Sequence, residues 1–381
     1  MAEPRIIAFT KDWNDVPTCT THILREMGKT IPLLWINSIG MRRPQLSSGR
    51  DWNRVVRKLA DSLRPAELKE NRLRVLAPLA LPKAGNRAGR SLNRLLLRSA
   101  VNRALRTMGN GPLELWSFIP NAVDYLGAFG PAKVVYYGVD DWSMFPGIDR
   151  DWVLGCEQQL VERADVLFVA SRVLEDRWRP IAGNRVHYMP HGVWHDQFAS
   201  ALQPDLPLPA DLSALPEPRI GFYGNLYDWI DFELVDTLAA ARPQWSFVMI
   251  GPARTDLSRW QKRRNVHFLG RCEPQQLPAY CKGFAAAIIP YKLSDPRMES
   301  VNPVKLREML AAGLPVVAAD IPEVRGVSQF VRTARGADEF LAGLETFVRH
   351  PPDRYAISAE RRGDDWSARV RDIRRIVEGA T

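Results

Sequence analysis

The chain has 381 residues, of which 46% are hydrophobic and 25% charged, with a formal net charge of +9. This composition is ordinary for a soluble globular protein. The four cysteines form no C-x-x-C pair, so the pattern argues against a zinc finger and a disulfide framework. There is no run of about 18 apolar residues, and the first residues, MAEPRIIAFTKDW, lack the features of a signal peptide. We therefore expect a cytoplasmic protein.

Strand-like and helical patterns alternate through the first half of the chain. Short apolar runs predict strands at 5–9, 31–36, 113–118, 133–138, 166–171 and 186–190. Helical patterns fill the gaps, notably around residues 18–28 and 151–164. Because a chain of this length can form two hydrophobic cores, we assign residues 1–200 to an N-terminal Rossmann-like domain.

Positive charge is concentrated in residues 41–110, which contain 17 Lys or Arg and four acids. Such a patch attracts an anionic membrane surface or nucleic acid. The stretch 91–109, SLNRLLLRSAVNRALRTMG, is typical both of a basic helix lying on a bilayer and of an ordinary helix with its apolar face in the core. The pattern leaves both open. Trp52 is the one aromatic residue of the patch, and no nucleic-acid-binding motif appears, so we expect no nucleic acid partner.

A Pro-rich segment, residues 201–218, predicts an interdomain linker. A second alternating series follows, with strands predicted at 219–224, 246–251, 266–270, 285–291 and 314–319. We assign residues 219–352 to a C-terminal Rossmann-like domain and residues 353–381 to a helical tail that packs on the N-terminal domain. The predicted fold class is therefore α/β, with two doubly wound Rossmann-like domains facing a cleft. Ligands of such sheets bind at the carboxyl ends of the strands.

The stretch SVNPVKLREMLAAGLPVVAAD, residues 300–320, predicts a short helix and then a buried strand. Asn302 is expected to be the helix N-cap and Pro303 its first residue. Lys305 and Glu308, three residues apart, share one face of the helix. They form either a solvated ion pair or part of a nucleotide site, in which the lysine binds phosphate at the helix N-terminus and the carboxylate binds ribose.

Glycines and an arginine follow three predicted strands of the C-terminal domain. GFYGNL places Gly224 and Asn225 after the first strand, while Gly251 and Arg271 follow the next two. Glycine lets backbone N–H groups approach a phosphate closely, and arginine can pair with a diphosphate. A tight turn explains an isolated glycine equally well, and a lone surface arginine usually has no special role.

Two adjacent carboxylates, Asp140 and Asp141, follow a strand in VVYYGVDDWSMFPG. An aspartate here can act as a general base toward an acceptor hydroxyl, bind a metal or cap the next segment. We find no further metal ligands in register. Because N-capping suits Asp141, we favour Asp140 as the base.

Histidines recur at every fourth residue between 187 and 195, a spacing that could bind zinc on a helix. Pro190 and Gly192 prevent a helix there, so no metal site is predicted. His191 and Gly192, near the domain junction, and His22, in the first predicted helix, are candidate contacts of a donor or acceptor. A lone histidine is more often structural.

These patterns resemble a GT-B fold glycosyltransferase of the family 4-like type over nearly the whole chain. The resemblance rests mainly on NPVKLREMLAAGLPVVAAD, on HGV near the end of the N-terminal domain and on GFYGNL. Many such enzymes have two glutamates separated by seven residues, the second of which contacts the nucleotide ribose. Glu308 matches the second, but the first would fall at Ser300, so that acid is absent.

The lysine in NPVKL is similar to that of the branch containing the glucuronosyltransferase of xanthan assembly and teichuronic acid transferases. The resemblance implies that Lys305 contacts the donor diphosphate and that Asp140 is the base. It implies a nucleotide-sugar donor, preferably a UDP-sugar, bound by the C-terminal domain, and a glycan acceptor, often linked to polyprenyl diphosphate, bound by the N-terminal domain. It implies no metal and no cofactor. The donor-site residues are Gly224, Asn225, Gly251, Arg271, Tyr291, Asn302, Val304, Lys305, Leu306 and Glu308, with His22, Asp141, His191 and Gly192 as further candidate contacts.

The predicted activity is that of a hexosyltransferase in the assembly of bacterial exopolysaccharide or cell-surface polysaccharide. Residues 41–110 would hold it on the inner face of the plasma membrane. Two alternatives remain open. An epimerase of the same fold would act on the donor without any acceptor, and a non-catalytic anion- or membrane-binding protein would tolerate loss of Asp140 and Lys305.

Overall fold

The structure, a computed structural model, describes most of the chain: residues 3–39, 66–78 and 87–380. Contacts divide the chain into two compact units, which differ from the predicted domains at their boundaries. The first unit comprises Met1–Pro190 together with Val370–Thr381, and the second comprises His191–Arg369.

The first unit is built on an eight-stranded sheet. Its elements in chain order are β1 (Arg5–Phe9), α1 (Cys19–Gly28), β2 (Leu33–Ile36), β3 (Glu67–Glu70), β4 (Leu73–Leu76), α2 (Arg87–Leu105), β5 (Leu113–Ser117), β6 (Lys133–Gly138), α3 (Arg150–Arg163), β7 (Val166–Val169), α4 (Arg172–Ala182) and β8 (Val186–Tyr188). The strand order is β3-β4-β2-β1-β5-β6-β7-β8, and every pair is parallel except β3–β4. The strand order reverses between β1 and β5, which is where doubly wound sheets bind ligands.

The second unit is built on a six-stranded, fully parallel sheet. Its elements are α5 (His195–Ala199), α6 (Ala210–Ser213), β9 (Arg219–Tyr223), α7 (Phe232–Ala241), β10 (Ser246–Ile250), β11 (Val266–Gly270), α8 (Leu277–Lys282), β12 (Ala286–Ile289), α9 (Val304–Ala311), β13 (Val316–Ala319), β14 (Val331–Ala334), α10 (Ala337–Arg349) and α11 (Arg354–Ala359). The last helix, α12 (Trp366–Gly379), begins in this unit and belongs to the first unit from Val370 onward. The strand order is β11-β10-β9-β12-β13-β14, with the reversal between β9 and β12.

The two parallel sheets confirm the predicted α/β class with two Rossmann-like domains. Strands such as β9 and β12 are buried along their whole length, as expected for parallel strands covered on both faces, and this is why their sequences read as continuous apolar runs. The sequence analysis missed the pair β3–β4 and the strand β14. The residues of β3 and β14 are largely exposed or only partly buried, whereas β4 is a mostly buried strand of only four residues.

The end of the chain is divided between the units. Of the predicted tail, residues 353–369 lie in the second unit, where the Ser358 hydroxyl donates to the Ala311 carbonyl oxygen at 2.6 Å. In the first unit, Arg374 makes a bidentate ion pair with the buried Glu114 of β5, at 2.5 and 3.0 Å. A buried carboxylate in the middle of a strand is tolerated because this fork satisfies it.

The basic helix predicted at 91–109 is observed as α2. Leu97 and Val101 are fully or nearly fully buried in the core of the first unit, while Leu92 and Leu95 on its other side are 44% and 64% exposed. One side of the helix is therefore an ordinary core face. Much of the basic patch, residues 41–65 and 79–86, lies outside the described residues. No helix that the structure describes is long and apolar enough to cross a membrane.

Candidate functional site

The short helix α9 carries the central charged residues of the second unit. It begins at Val304, one residue later than predicted, with Pro303 as its N-cap. Asn302 is not the cap, because its buried side chain accepts a hydrogen bond from Arg307 at 2.7 Å and donates one to Glu323 at 3.2 Å. With no side chain as a cap, the N–H groups of the first turn of α9 keep their capacity to bind an anion.

Lys305 and Glu308 share the partly exposed face of α9, while Leu306 is wholly buried in the core. The two charged side chains form no ion pair with each other. Instead, the Lys305 ammonium donates to the Tyr291 hydroxyl at 2.9 Å. The predicted alternative of a solvated Lys305–Glu308 ion pair is therefore wrong, and Leu306 fixes the helix rather than offering its side chain to a ligand.

Two aromatic rings and a glycine surround the Lys305 ammonium. Its Nζ lies 5.1 Å from the centroid of the Phe222 ring and 5.4 Å from that of Tyr291, within the range of cation–π attraction. A Cβ at Gly224 would lie 2.9 Å from Nζ. Because Tyr291 occupies one direction only, the ammonium keeps donors for an anionic ligand.

The glycines after β9 and β10 are required by the backbone. Gly224 and Gly251 have φ values of 138° and 141°, a region open essentially to glycine alone. The Gly224 N–H donates to the Ile250 carbonyl and the Gly251 N–H to the Gly270 carbonyl, at 2.9 and 2.7 Å. The N–H groups of these two glycines are therefore used within the sheet, and the prediction that Gly224 and Gly251 belong to a donor site stays a prediction. Both glycines allow the strand ends to approach each other, and Gly224 also leaves space for the Lys305 side chain.

Glu308 is a carboxyl group with an unusual protonation equilibrium. Burial raises its pKa to about 7, although the Lys305 ammonium acts in the opposite direction. The pKa of the neighbouring Tyr223 hydroxyl is raised well above its ordinary value, first by burial and then by Glu308. A carboxyl group whose pKa lies near neutral pH, on the same helix face as a lysine, is typical of a binding site.

The other predicted donor residues lie in different surroundings. Val304 is half-buried in the first turn of α9, and Asn225 is half-buried after β9. The Arg271 side chain is 68% exposed and lies 3.6 Å from Glu273. His191 is buried at the start of the second unit, and a Cβ at Gly192 would meet the Trp366 ring at 2.7 Å. Gly192 is thus explained by packing.

In the first unit, Asp140 and Asp141 follow β6 and have different environments. The Asp141 carboxylate accepts hydrogen bonds from the backbone N–H and the hydroxyl of Ser143, at 3.1 and 2.6 Å, and from Arg177 at 2.5 Å. It caps the 3₁₀ helix Trp142–Met144, as the sequence suggested. Asp140 accepts no hydrogen bond from any described residue.

Protonation equilibria separate the two carboxyl groups further. Burial, and then the charge of Asp141, raise the pKa of Asp140 to about 6. Burial alone would raise the pKa of Asp141, but the hydrogen bonds from Arg177 and Ser143 lower it overall. Asp140 therefore combines a carboxylate that accepts no hydrogen bond from the described residues with a pKa close to neutral pH, and a general base requires this combination.

The first turn of α1 brings the Cys19 thiol toward Asp140. The buried Cys19 thiol has its pKa raised to about 12, by burial and then by the charge of Asp140, so the two side chains are close. His22, in the same helix, has its pKa lowered to about 4 by burial and by Arg25 and Lys11. It is therefore neutral at physiological pH.

The structure does not join the histidines at 187, 191 and 195 into a metal site. His195 is buried, and its Nε2 lies 3.1 Å from the Ser358 carbonyl oxygen. In residues 3–39, 66–78 and 87–380, no cluster of three His, Cys, Asp or Glu side chains has an arrangement that could hold a metal ion. Metal independence stays a prediction.

Comparison with solved structures shows the fold. Sucrose-phosphate synthase from Thermosynechococcus elongatus aligns over 99% of this chain and 98% of its own, with a TM-score of 0.69 and 12% identity. HepE from Anabaena in complex with UDP aligns over 98% and 99%, with a TM-score of 0.66 and 14% identity. The shared fold is GT-B. At these identities the likeness carries no information about substrate.

Sequence comparison adds the class of activity. Residues 217–350 match the family model described as Glycosyl transferases group 1, a range that contains β9 and α9. A Bacillus subtilis (strain 168) protein named teichuronic acid biosynthesis glycosyltransferase TuaH is 27% identical over 283 residues, which cover 68% of this chain and 70% of the relative. The chain is a GT-B glycosyltransferase. Asp140 lies outside the matched range of this glycosyltransferase, so its role depends on the geometry of the first unit.

Sequence reasoning missed the residues that hold the predicted ones in place. Tyr223 and Phe222 lie inside the GFYGNL motif, where alternation along β9 gave a clue that they face different surroundings. Arg177 lies 36 residues after Asp141, and no local pattern links them. In this glycosyltransferase the charged residues after β6 and on α9 were found from motifs, whereas their protein partners were not.

Proposed function

We propose that this glycosyltransferase moves a sugar from a nucleoside-diphosphate donor, with UDP as the favoured nucleotide, to a hydroxyl group of a glycan acceptor. The observation that carries the proposal is the environment of Lys305. Its ammonium donates one hydrogen bond to Tyr291, lies in the first turn of a helix without a side-chain cap and has Glu308 one turn away. A cation at a helix N-terminus favours a phosphate group.

The proposed chemistry assigns one step to each charged group. Asp140 takes the proton of the acceptor hydroxyl as that oxygen bonds to the anomeric carbon of the donor sugar. The bond from that carbon to the diphosphate oxygen breaks, and the nucleoside diphosphate leaves with the electron pair. Lys305 and the N-terminus of α9 stabilise the charge that grows on the leaving group, while Glu308 accepts hydrogen bonds from the ribose hydroxyls. No metal is required in this scheme.

The acceptor proposal is a polyprenyl-diphosphate-linked glycan at the inner face of the plasma membrane, in the assembly of a surface polysaccharide. Similarity to a protein named for teichuronic acid biosynthesis supports the pathway class. The exposed side of α2 supports membrane contact, because Leu92 and Leu95 stand there beside the exposed Arg94 and Arg98. Leucine inserted among headgroups and arginine paired with anionic lipid bind a bilayer together.

A thermal-shift panel with UDP, GDP, TDP and CMP tests the donor site, because a ligand that binds the folded state raises its stability. We expect the melting temperature to rise with UDP, and the Lys305→Ala variant to bind UDP more weakly by about 1.5–3 kcal/mol, the value of a charged hydrogen bond. Lys262→Ala, an exposed lysine of the same unit, is the matched control. No shift with any nucleotide would overturn the proposal.

A further inference from the structure

Arg177 pairs with the buried carboxylate of Asp141, the neighbour of the proposed base in the chain. Its Nη2 donates to Asp141 at 2.5 Å. Behind this pair, the Tyr136 hydroxyl donates to Glu157 at 2.6 Å, and both of these side chains are completely buried. Arg177 has its pKa raised first by Asp141 and then, among others, by Glu157, so its positive charge faces both carboxyl groups.

Among the described residues, no donor forms a hydrogen bond to the Asp140 carboxylate, but several titratable groups lie near it. Asp141 is adjacent in the chain, Tyr136 lies on the same strand, and the Cys19 thiol approaches from α1. Asp141, with its three donors and 5% exposure, is fixed in position. Its charge, next to that of Asp140, would be uncompensated without the guanidinium.

We propose that Arg177 is a positioning residue for the base: it holds and neutralises the Asp141 carboxylate, so that Asp140 remains the carboxylate available to the acceptor hydroxyl. This inference rests on the proposed function, in which Asp140 accepts the proton. Arg177 touches no reacting atom. It acts through Asp141, by setting both the orientation of that side chain and the charge that Asp140 experiences.

A purely structural role for Arg177 makes a different prediction. An ion pair that only ties α4 to the 3₁₀ helix Trp142–Met144 would change stability when it is lost, and would leave the protonation of Asp140 as it was. A positioning role couples the two carboxyl groups. Removing Arg177 exposes Asp140 to the full charge of Asp141, whereas removing the Asp141 charge takes away the like charge that raises the pKa of Asp140. The two changes must therefore act in opposite directions.

The experiment is a ¹³C NMR titration of the protein labelled at aspartate carboxyl carbons, with the Asp140 signal assigned by its loss in Asp140→Asn. We expect the pKa of Asp140 to rise by about one unit in Arg177→Met and to fall by about one unit in Asp141→Asn, as for a charge at close range. Arg177→Lys, which keeps the charge, should return the value most of the way to that of the native protein.

The isosteric Asp141→Asn variant keeps the test decisive if Arg177→Met does not fold. Shifts of the same sign, or an Asp140 pKa unchanged in Asp141→Asn, would overturn the proposal. The acidic limb of the pH–transfer profile should move with the NMR value in each variant. Since the titration needs neither donor nor acceptor, it separates failure of this inference from failure of the proposed function, which the UDP thermal shift tests independently.

Discussion

Two charged side chains from one short stretch of the chain lie near the carboxyl edge of each sheet. The two pairs have different surroundings. After β6, the like charges of Asp140 and Asp141 are adjacent. Three donors satisfy the Asp141 carboxylate, while the Asp140 carboxylate accepts no hydrogen bond within the part of the chain that the structure describes. On α9, the opposite charges of Lys305 and Glu308 stand one turn apart without pairing. In both places a charged group that the fold could have satisfied is left available.

The surroundings of Asp140 and Lys305 change different properties of the two groups. Burial, and then the negative charge of Asp141, raise the pKa of Asp140 toward neutral pH. This suits a group proposed to take up a proton. Lys305 is held by a neutral hydroxyl and two ring faces, which fix its position without cancelling its charge. The first arrangement is suited to proton transfer and the second to binding an anion.

The largest expected effect comes from removing the Asp140 carboxylate. Asp140→Asn keeps the shape of the side chain but removes the base, so transfer from the UDP-sugar to the acceptor should fall by about 10²–10⁴-fold. UDP should still raise the melting temperature as in the native protein, because the donor site lies in the other unit. The measurement is transfer of radiolabel from the donor, with UDP thermal shift in parallel. Transfer at the native rate would remove Asp140 from the mechanism.

The intermediate effect concerns the protonation of Glu308. Its pKa in the folded state, about 7, exceeds the ordinary 4.5. Its contribution to stability is therefore fully present below pH 4.5 and is lost as the pH rises through 7. Glu308→Gln has no such loss. The unfolding free energy of the variant minus that of the native protein should therefore increase by about 1–3 kcal/mol from pH 5 to pH 8.5.

Urea denaturation of both proteins at the two pH values measures this gain, and all other titrating groups cancel in the difference. The same variant should bind UDP more weakly, since an amide accepts fewer hydrogen bonds from the ribose than a carboxylate. A stability difference that does not depend on pH would show that the Glu308 carboxyl titrates normally. A gain in stability with a loss of affinity would mark a residue kept for function.

Much of this comparison could be read from the sequence, because its parts are local. Lys305 and Glu308 are related by helical spacing, and Asp140 follows a strand that any apolar-run analysis finds. What could not be read is set by distant contacts. Asn302 was predicted as a cap because of its residue type, but Arg307 and Glu323 take both ends of its amide. Likewise, no local pattern showed that the N–H groups of Gly224 and Gly251 donate to carbonyl groups at neighbouring strand ends.

The smallest expected effect comes from removing the Tyr291 hydroxyl beside Lys305. Tyr291→Phe keeps the ring beside Lys305 but removes the hydroxyl that accepts from its ammonium at 2.9 Å. UDP binding should weaken by about 1 kcal/mol, roughly fivefold, since one hydrogen bond to a charged group is lost while the cation–π contacts remain. Isothermal titration with UDP measures it.

The matched control for Tyr291→Phe is Tyr280→Phe, which loses hydroxyl bonds to Asp211 at 2.9 and 3.1 Å in the same unit. It should change stability and leave UDP affinity unaltered. Equal effects of the two variants on affinity would mean that Tyr291 acts only through the stability of the unit. An effect on UDP affinity confined to Tyr291→Phe would mean that the Tyr291 hydroxyl orients the Lys305 ammonium for binding. The substitution leaves the charge of Lys305 unchanged, so charge alone could not explain the loss.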